Sequence, residues 1–351
     1  MSIPQAVEKT IGGKRILITG AGGSIGSALA RSVGQLNPEH LVLLDNSERN
    51  LNEVTASVAS TFDEPSFTAV LGSVGDSELL RSLFEQHHPT IVIHAAAFKH
   101  VPLLETNPLA ALQNNAIATY SLAKLSHEKS ASNLVMLSTD KSVNPISIMG
   151  ASKRLGELAL AQFGGAHTRM AAVRLGNVLG TEGSVVPLFL GQISRGGPVT
   201  VTHPDATRYF FGMDQAVELI LLALAENTSG VFVPRINEPV NIRQMAIQLI
   251  KNSKAENHNE IEIVFSGLRP GDKLSEEFLY ENEKSVPTND PRLLRLVSNA
   301  DIADNFETGM AHLSKRLKEH DITGALDLLR QLVPEYRPTE TVTRLSEGLP
   351  V

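Results

Sequence analysis

The 351-residue chain contains no cysteine, which excludes disulfides, thiolate nucleophiles and cysteine-ligated metals. It has no excess of positive charge: 31 Lys and Arg stand against 38 Asp and Glu, a formal charge of -7. No basic field therefore invites nucleic acid or anionic lipid, and any phosphate recognition must be local. No segment approaches the roughly 18 consecutive apolar residues that a bilayer crossing needs. The opening MSIPQAVEKTIGGKR has no apolar run of the signal-peptide kind. There is no internal repeat, no low-complexity tract and no His, Asp and Glu arrangement with metal-ligand spacing. These absences set the expectation of a soluble cytoplasmic protein with no metal site. What is present, 42% hydrophobic and 20% charged residues, suits one large or two modest globular domains with an ordinary core.

Six short apolar runs punctuate the first half: KRILIT, LVLLD, FTAVLG, TIVIHA, NLVMLS and MAAVRL. They are continuous rather than alternating, as expected of parallel strands covered on both faces. Segments of helical period at about 24–35, 48–60, 76–87, 105–130 and 147–163 lie between them. This rhythm predicts an α/β fold, a Rossmann-type doubly wound parallel sheet. After residue 177 glycine and proline break the pattern, and GTEGSVVPLFLGQISRGGPVTVTHP reads as loops with short elements. The expected organisation is an NAD-binding Rossmann domain over 1–177, extended by 204–234. A smaller, interrupted C-terminal substrate domain over 178–203 and 235–298 follows, then a helical tail over 299–351 ending in polar coil.

TGAGGSIG follows the first strand and opens a helix. Gly20, Gly23 and Gly26 allow a tight turn whose N–H groups approach a pyrophosphate, with Ser24 and Ile25 in the same helix start. A tight turn without ligand is the plainer alternative. Asp45 ends the second strand about 20 residues on, where a carboxylate accepts hydrogen bonds from the adenosine ribose. That favours NAD over NADP, because the acid would repel a 2′-phosphate, although Arg49 lies nearby. Asp45 also suits capping of the helix that begins near Ser47.

The stretch STDKSVNPISIMGASK places Thr139, Asp140 and Lys141 consecutively at the end of a predicted strand, where doubly wound sheets carry their ligands. Ten residues on, Met149 stands four positions before Lys153. A thioether takes no proton at neutral pH, so either the chemistry is lost or another base performs it.

TGAGGSIG, HAAAFKHVP, QNNAIAT, STDKSVNP, MGASK, RLGNVLG, GSVVPLF, VTVTHPDATRYF and GLRPGDKL, in this order, resemble the nucleotide-sugar 4,6-dehydratases of the polysaccharide-biosynthesis (CapD-like) family. These are extended short-chain dehydrogenase/reductases. The resemblance covers roughly residues 10 to 290, and VPEYRP near the C-terminus fits it too. The superfamily carries a catalytic tyrosine where this chain has Met149. Of the family's two branches, one keeps the tyrosine and inverts carbon 5 of the sugar. The other has methionine and retains the configuration, and Met149 resembles that branch.

The resemblance implies a UDP-N-acetylglucosamine 4,6-dehydratase that recycles NAD, with Asp140 as acid and Lys141 as base. Asp140 must then hold a proton and Lys141 must lose one part of the time, although an adjacent ion pair favours both charged forms. Thr139, through an ordered water, is the candidate to activate the carbon 4 hydroxyl, and Lys153 to bind the nicotinamide ribose. Ala95 and Ala96 join the cofactor set. Arg208 and Arg269 are the candidate diphosphate ligands, Asn177 positions the nucleotide, and Lys99 and His100 lie near the sugar. Single arginines and a loop histidine are also ordinary surface residues. Gly72 and Ser73 depart from the family, where an Asp often follows that glycine near the adenine. A homodimer or higher homo-oligomer is expected, since extended relatives pair through helices near 105–130 and 147–163. Two other functions stay open: a nucleotide-sugar 4-epimerase and a non-catalytic dinucleotide-binding protein.

Overall fold

A computed structural model describes residues 4–60, 66–235, 238–253, 261–298 and 305–349. Strands β1 (Arg15–Thr19), β2 (His40–Asp45), β3 (Phe67–Leu71), β4 (Ile91–His94), β5 (Asn133–Thr139) and β6 (Arg169–Leu175) run parallel in the order β6-β5-β4-β1-β2-β3. The apolar runs become strands because both of their faces are covered. Ile16 and Ile18 of β1 join one core with helices α2 (Ser24–Gly34) and α3 (Glu48–Ala59). Leu17, between them, joins the opposite core with α4 (Ser77–His87). Successive side chains of a strand point to opposite faces, so this split is the doubly wound arrangement. Helix α1 (Gln5–Ile11) packs into the first core through Val7 and Ile11.

The segment expected as one helix over 105–130 is broken into α5 (Val101–Glu105), α6 (Pro108–Ala111), a π-helical turn (Leu112–Ile117) and α7 (Ala118–Glu128). Pro108 has no N–H to continue a helix and so starts a new one. Helix α8 (Ile148–Phe163) begins where Ser147 Oγ accepts the Gly150 N–H at 3.1 Å.

Beyond β6 come β7 (Asn177–Val178), α9 (Val185–Ser194), β8 (Val199–Val201), β9 (Thr207–Arg208), β10 (Phe210–Phe211) and α10 (Met213–Ala225). Then follow β11 (Gly230–Pro234), β12 (Val240–Asn241), α11 (Ile242–Asn252), β13 (Ile263–Phe265), β14 (Glu283–Pro287) and β15 (Leu293–Ser298). Helix α9 lies in a stretch expected to be loops with short elements. Its Pro187 sits in the first turn, where the N–H has no intrahelical partner to lose. Phe189 and Ile193 of α9, Val199 and Val201 of β8, and Ile242 and Ala246 of α11 form a small core of their own.

β11 extends the large sheet beside β6, and β15 and β14 add antiparallel to give nine strands. Residues 283–298, expected in the substrate domain, are thus an edge of the main sheet, held there by buried Leu293 and Leu296.

The tail forms α12 (Phe306–Lys318), α13 (Ile322–Leu332) and α14 (Glu340–Ser346), so helix stands where the final coil was expected. Phe306, Met310, Leu313 and Leu326 share a core with Leu104, Leu112, Ile148 and Leu155. The tail therefore covers part of the helices expected to pair between subunits. Among the described residues no helix is long and apolar enough to cross a membrane.

Candidate active site

A cleft of about 980 Å³ opens at the carboxyl ends of the parallel strands. Its first wall is the glycine turn after β1. Gly20 has φ +67°, and a Cβ there would lie 2.5 Å from the Ala96 backbone nitrogen, so no side chain fits. Gly23 caps α2 with no side chain of its own, and a Cβ on it would meet only Gly20 O at 3.3 Å. Gly23, Ser24, Ile25 and Gly26 thus present an open helix N-terminus to the cleft, which suits a diphosphate.

Asp45, at the end of β2, lines the same wall. Its Oδ2 accepts the Gly22 N–H and its Oδ1 accepts the Ser47 N–H, each at 2.8 Å. The cap of α3 is Ser47, whose Oγ accepts the Asn50 N–H. Asp45 therefore ties the glycine turn to the next loop, and each of its oxygens keeps a lone pair for a ribose hydroxyl. Arg49 is occupied by Glu53 at 2.9 Å on the surface. Ala95, Ala96, Gly72 and Ser73 complete this half. The residues fit a dinucleotide in donors, shape and the absence of side chains.

A strap crosses the cleft. The Lys99 ammonium donates to Glu182 O at 2.6 Å, and the Glu182 N–H donates to Ser24 Oγ at 3.3 Å. His100 buttresses it, since a Cβ on Gly183 would lie 2.8 Å from the imidazole Cε1. Lys99 and His100 both line the cleft, as does Asn177 at the start of β7.

The sugar half carries the consecutive residues of β5. Thr139 and Lys141 line the cleft, whereas Asp140 is fully buried behind them. Asp140 Oδ1 accepts from Lys141 Nζ at 3.0 Å and from Thr139 Oγ1 at 2.9 Å. Asp140 Oδ2 is buried without a partner. Lys141 Nζ also lies 3.2 Å from Glu276 Oε1, and Glu276 Oε2 is the second buried oxygen with no partner here. Glu276 stands two residues past GLRPGDKL and was not among the expected site residues.

This geometry bears on three of the expected roles. Burial alone would lower Lys141, but the Asp140 and Glu276 carboxylates outweigh it and the ammonium is held up rather than down. Arg208 lines the cleft with its fork partly engaged: Nη1 donates to Thr207 O and Leu274 O, Nη2 to Lys273 O, and Nε lies 3.8 Å from Glu276 Oε1. Lys153 is only 4% exposed and lies one helical turn from Met149, behind the wall rather than in it. Burial brings its ammonium down to about 8. Met149 and Arg269 do line the cleft, and Arg269 Nε is paired with Asp272 at 2.8 Å.

Residues 16–298 match the model of the family described as polysaccharide biosynthesis protein. The chain belongs to this family. Among its relatives is a capsular polysaccharide biosynthesis protein, CapD, of Staphylococcus aureus, 42% identical over 79% of this chain and 47% of that protein. The chain thus spans about half of that relative's length. A UDP-glucose 4-epimerase of Rickettsia rickettsii is 32% identical over 80% of this chain and 81% of its own length. A UDP-N-acetylglucosamine 4,6-dehydratase (inverting) of Campylobacter jejuni is also 32% identical, over 78% and 79%. The X-ray structure of Pen from Bacillus thuringiensis superposes with a TM-score of 0.73 at 26% identity, covering 83% of this chain and 91% of that one.

In this member of the polysaccharide-biosynthesis family a second charged cluster lies beneath the first. Glu157 of α8 accepts from Ser138 and Ser142 Oγ and from Arg174 Nε on one oxygen, and from Arg174 and Arg154 on the other. Arg174 also donates to Phe278 O and to both oxygens of Glu283. Burial pushes the Glu157 carboxyl up, but Arg174 pulls harder and holds it at about 2.

Proposed function

We propose that this chain is a nucleotide-sugar 4,6-dehydratase acting on UDP-N-acetylglucosamine with retained configuration at carbon 5, in the biosynthesis of surface polysaccharide. One observation carries the reading: a lysine in the cleft wall is ion-paired to a buried aspartate at the end of β5, beside an apolar Met149 where the superfamily tyrosine would stand. The cofactor is NAD, held by the turn Gly20–Gly26 and by Asp45. When bound it supplies a reversible hydride acceptor beside the sugar.

The chain's own groups handle the protons. Thr139, in the wall and bonded to Asp140 Oδ1, passes the carbon 4 hydroxyl proton through a water to Asp140. Asp140 then gives that proton to the departing carbon 6 hydroxyl, which leaves as water. Lys141, as the free amine, takes the carbon 5 proton and later returns it. A single base on one side of the ring takes and replaces that proton on the same face, which keeps the configuration. Arg269, with Arg208 and Asn177, meets the nucleotide end, Lys99 lies near the sugar, and Lys153 adds positive charge from beneath.

Proton NMR of the purified chain with UDP-N-acetylglucosamine in deuterated water tests the proposal. A new 6-deoxy methyl signal is the expected result. Exchange between carbon 4 epimers without a methyl signal would instead assign the epimerase activity named for the Rickettsia relative.

A further inference from the structure

Lys141 must lose a proton before it can act as a base, and the group beside it that is not already committed is Glu276. Asp140 cannot serve, because it receives the carbon 4 hydroxyl proton and spends it on the leaving group. Glu276 comes from the segment between β13 and β14 and reaches 3.2 Å from Lys141 Nζ. Its side chain is 1% exposed, so solvent does not compete for it. Its Oε2 has no hydrogen-bond donor, an arrangement that is unfavourable for a carboxylate and relieved by a proton.

Resting on the dehydratase reading, we propose that Glu276 is a positioning residue for the base: it takes the proton that Lys141 sheds and returns it when the cycle closes. The transfers balance. Lys141 ammonium and Glu276 carboxylate become amine and carboxylic acid as one N–H bond breaks and one O–H bond forms. The amine takes the carbon 5 proton and gives it back, after which Glu276 returns its own to Lys141. The only species lost from the sugar is water.

The surroundings fit this role. Burial and the neighbouring Asp140 push the Glu276 carboxyl up against the pull of Lys141, Arg208 and Lys273. The charged groups facing Lys141 are Asp140, Glu276, Arg208 and Lys273, and without an internal acceptor its raised ammonium would not give up a proton near neutrality. Arg208, anchored to three backbone carbonyls, holds Glu276 in place from 3.8 Å. Lys273 also faces Glu276 and is anchored by its bond to Val143 O at 2.6 Å.

The test uses Glu276→Gln and Glu276→Asp in the full chain, with two readouts. The first is the NMR titration of ¹³C-labelled lysine, with Lys141 assigned through Lys141→Arg. With one flanking carboxylate gone, Lys141 titrates at lower pH in E276Q than in the parent, and an unchanged titration overturns the proposal. The second readout is dehydration. In E276Q kcat at neutral pH falls by about a hundredfold, the scale of one acid–base group, with KM little changed. Activity returns as pH rises and solvent removes the proton from Lys141, and E276D recovers part of kcat. A loss seen only in KM, or one that no pH and no aspartate rescues, overturns the proposal and leaves Glu276 a structural residue. If the parent makes no product from any UDP-sugar, the dehydratase reading fails by itself, while the Lys141 titration still decides whether Glu276 governs that lysine.

Discussion

Two clusters of buried charge meet at the turn after β5, and they are finished to different degrees. In the lower one every N–H of Arg174 has an acceptor, spread over Glu157, Glu283 and Phe278 O, and Glu157 collects five donors. In the upper one Asp140 and Glu276 share Lys141 and each keeps one buried oxygen with no donor. Ser142 links the two, its hydroxyl reaching Glu157 from the turn that carries Asp140 and Lys141. A buried network that is fully satisfied makes its part of the core rigid, whereas one left short still has acceptors to offer. The lower cluster is thus a foundation, and the upper one leaves an acceptor open on each of two carboxylates.

The sharpest way to break the contrast is Asp140→Asn. It should cut formation of the 6-deoxy methyl product by about 10²–10⁴-fold, the usual worth of a positioned acid, while thermal unfolding stays cooperative. An equally large loss of stability would make the two clusters alike.

Glu157→Gln should do the reverse, costing about 3–5 kcal/mol in denaturant unfolding because it takes a buried carboxylate from Arg154 and leaves Arg174 only Glu283 as a charge partner. Its pH signature has a definite sign. The folded carboxyl is held at about 2, below its ordinary 4.5, so its stabilisation is fully present above 4.5 and is lost as pH falls through about 2. Acid unfolding of the parent between those values should be steeper than that of the variant, and parallel curves would refute the assignment.

The smallest effect belongs to Met149→Leu. If the thioether only fills the cleft wall, turnover should stay within about tenfold, a change of at most ~1.4 kcal/mol in the barrier. A larger drop in kcat would show that the sulfur takes part.

Much of the upper cluster was legible in the sequence, because Thr139, Asp140 and Lys141 are neighbours at a strand end and a strand end is readable from its apolar run. Gly20, Gly23 and Asp45 were legible for the same reason: their spacing is local to one strand-helix-strand unit. Glu276 was not, since it lies 135 residues from Lys141 and meets it only when the chain folds back over the cleft. The occupation of Arg208 escaped notice too, as its partners are backbone carbonyls, which leave no mark on composition. The edge strands over 283–298 were assigned to the wrong layer because a short apolar run does not say which sheet it joins. Pro187 disguised α9, since proline marks a break in most contexts and a helix start in this one.

The docking of the tail has a consequence in time. The Ile148 N–H at the start of α8 is held by Glu105 Oε1 at 2.7 Å, and Glu105 Oε2 is held by the Thr339 hydroxyl at 2.6 Å. α8 carries Met149 and Lys153, so one wall of the cleft is tied to a residue made long after it. While the chain is still emerging, the glycine turn and β5 are complete, yet Leu104, Ile148 and Leu155 have no α12 or α13 to cover them. Helices α12 to α14 therefore act as a late stitch, and until residue 339 has been made α8 is unsecured and its apolar face is open to aggregation.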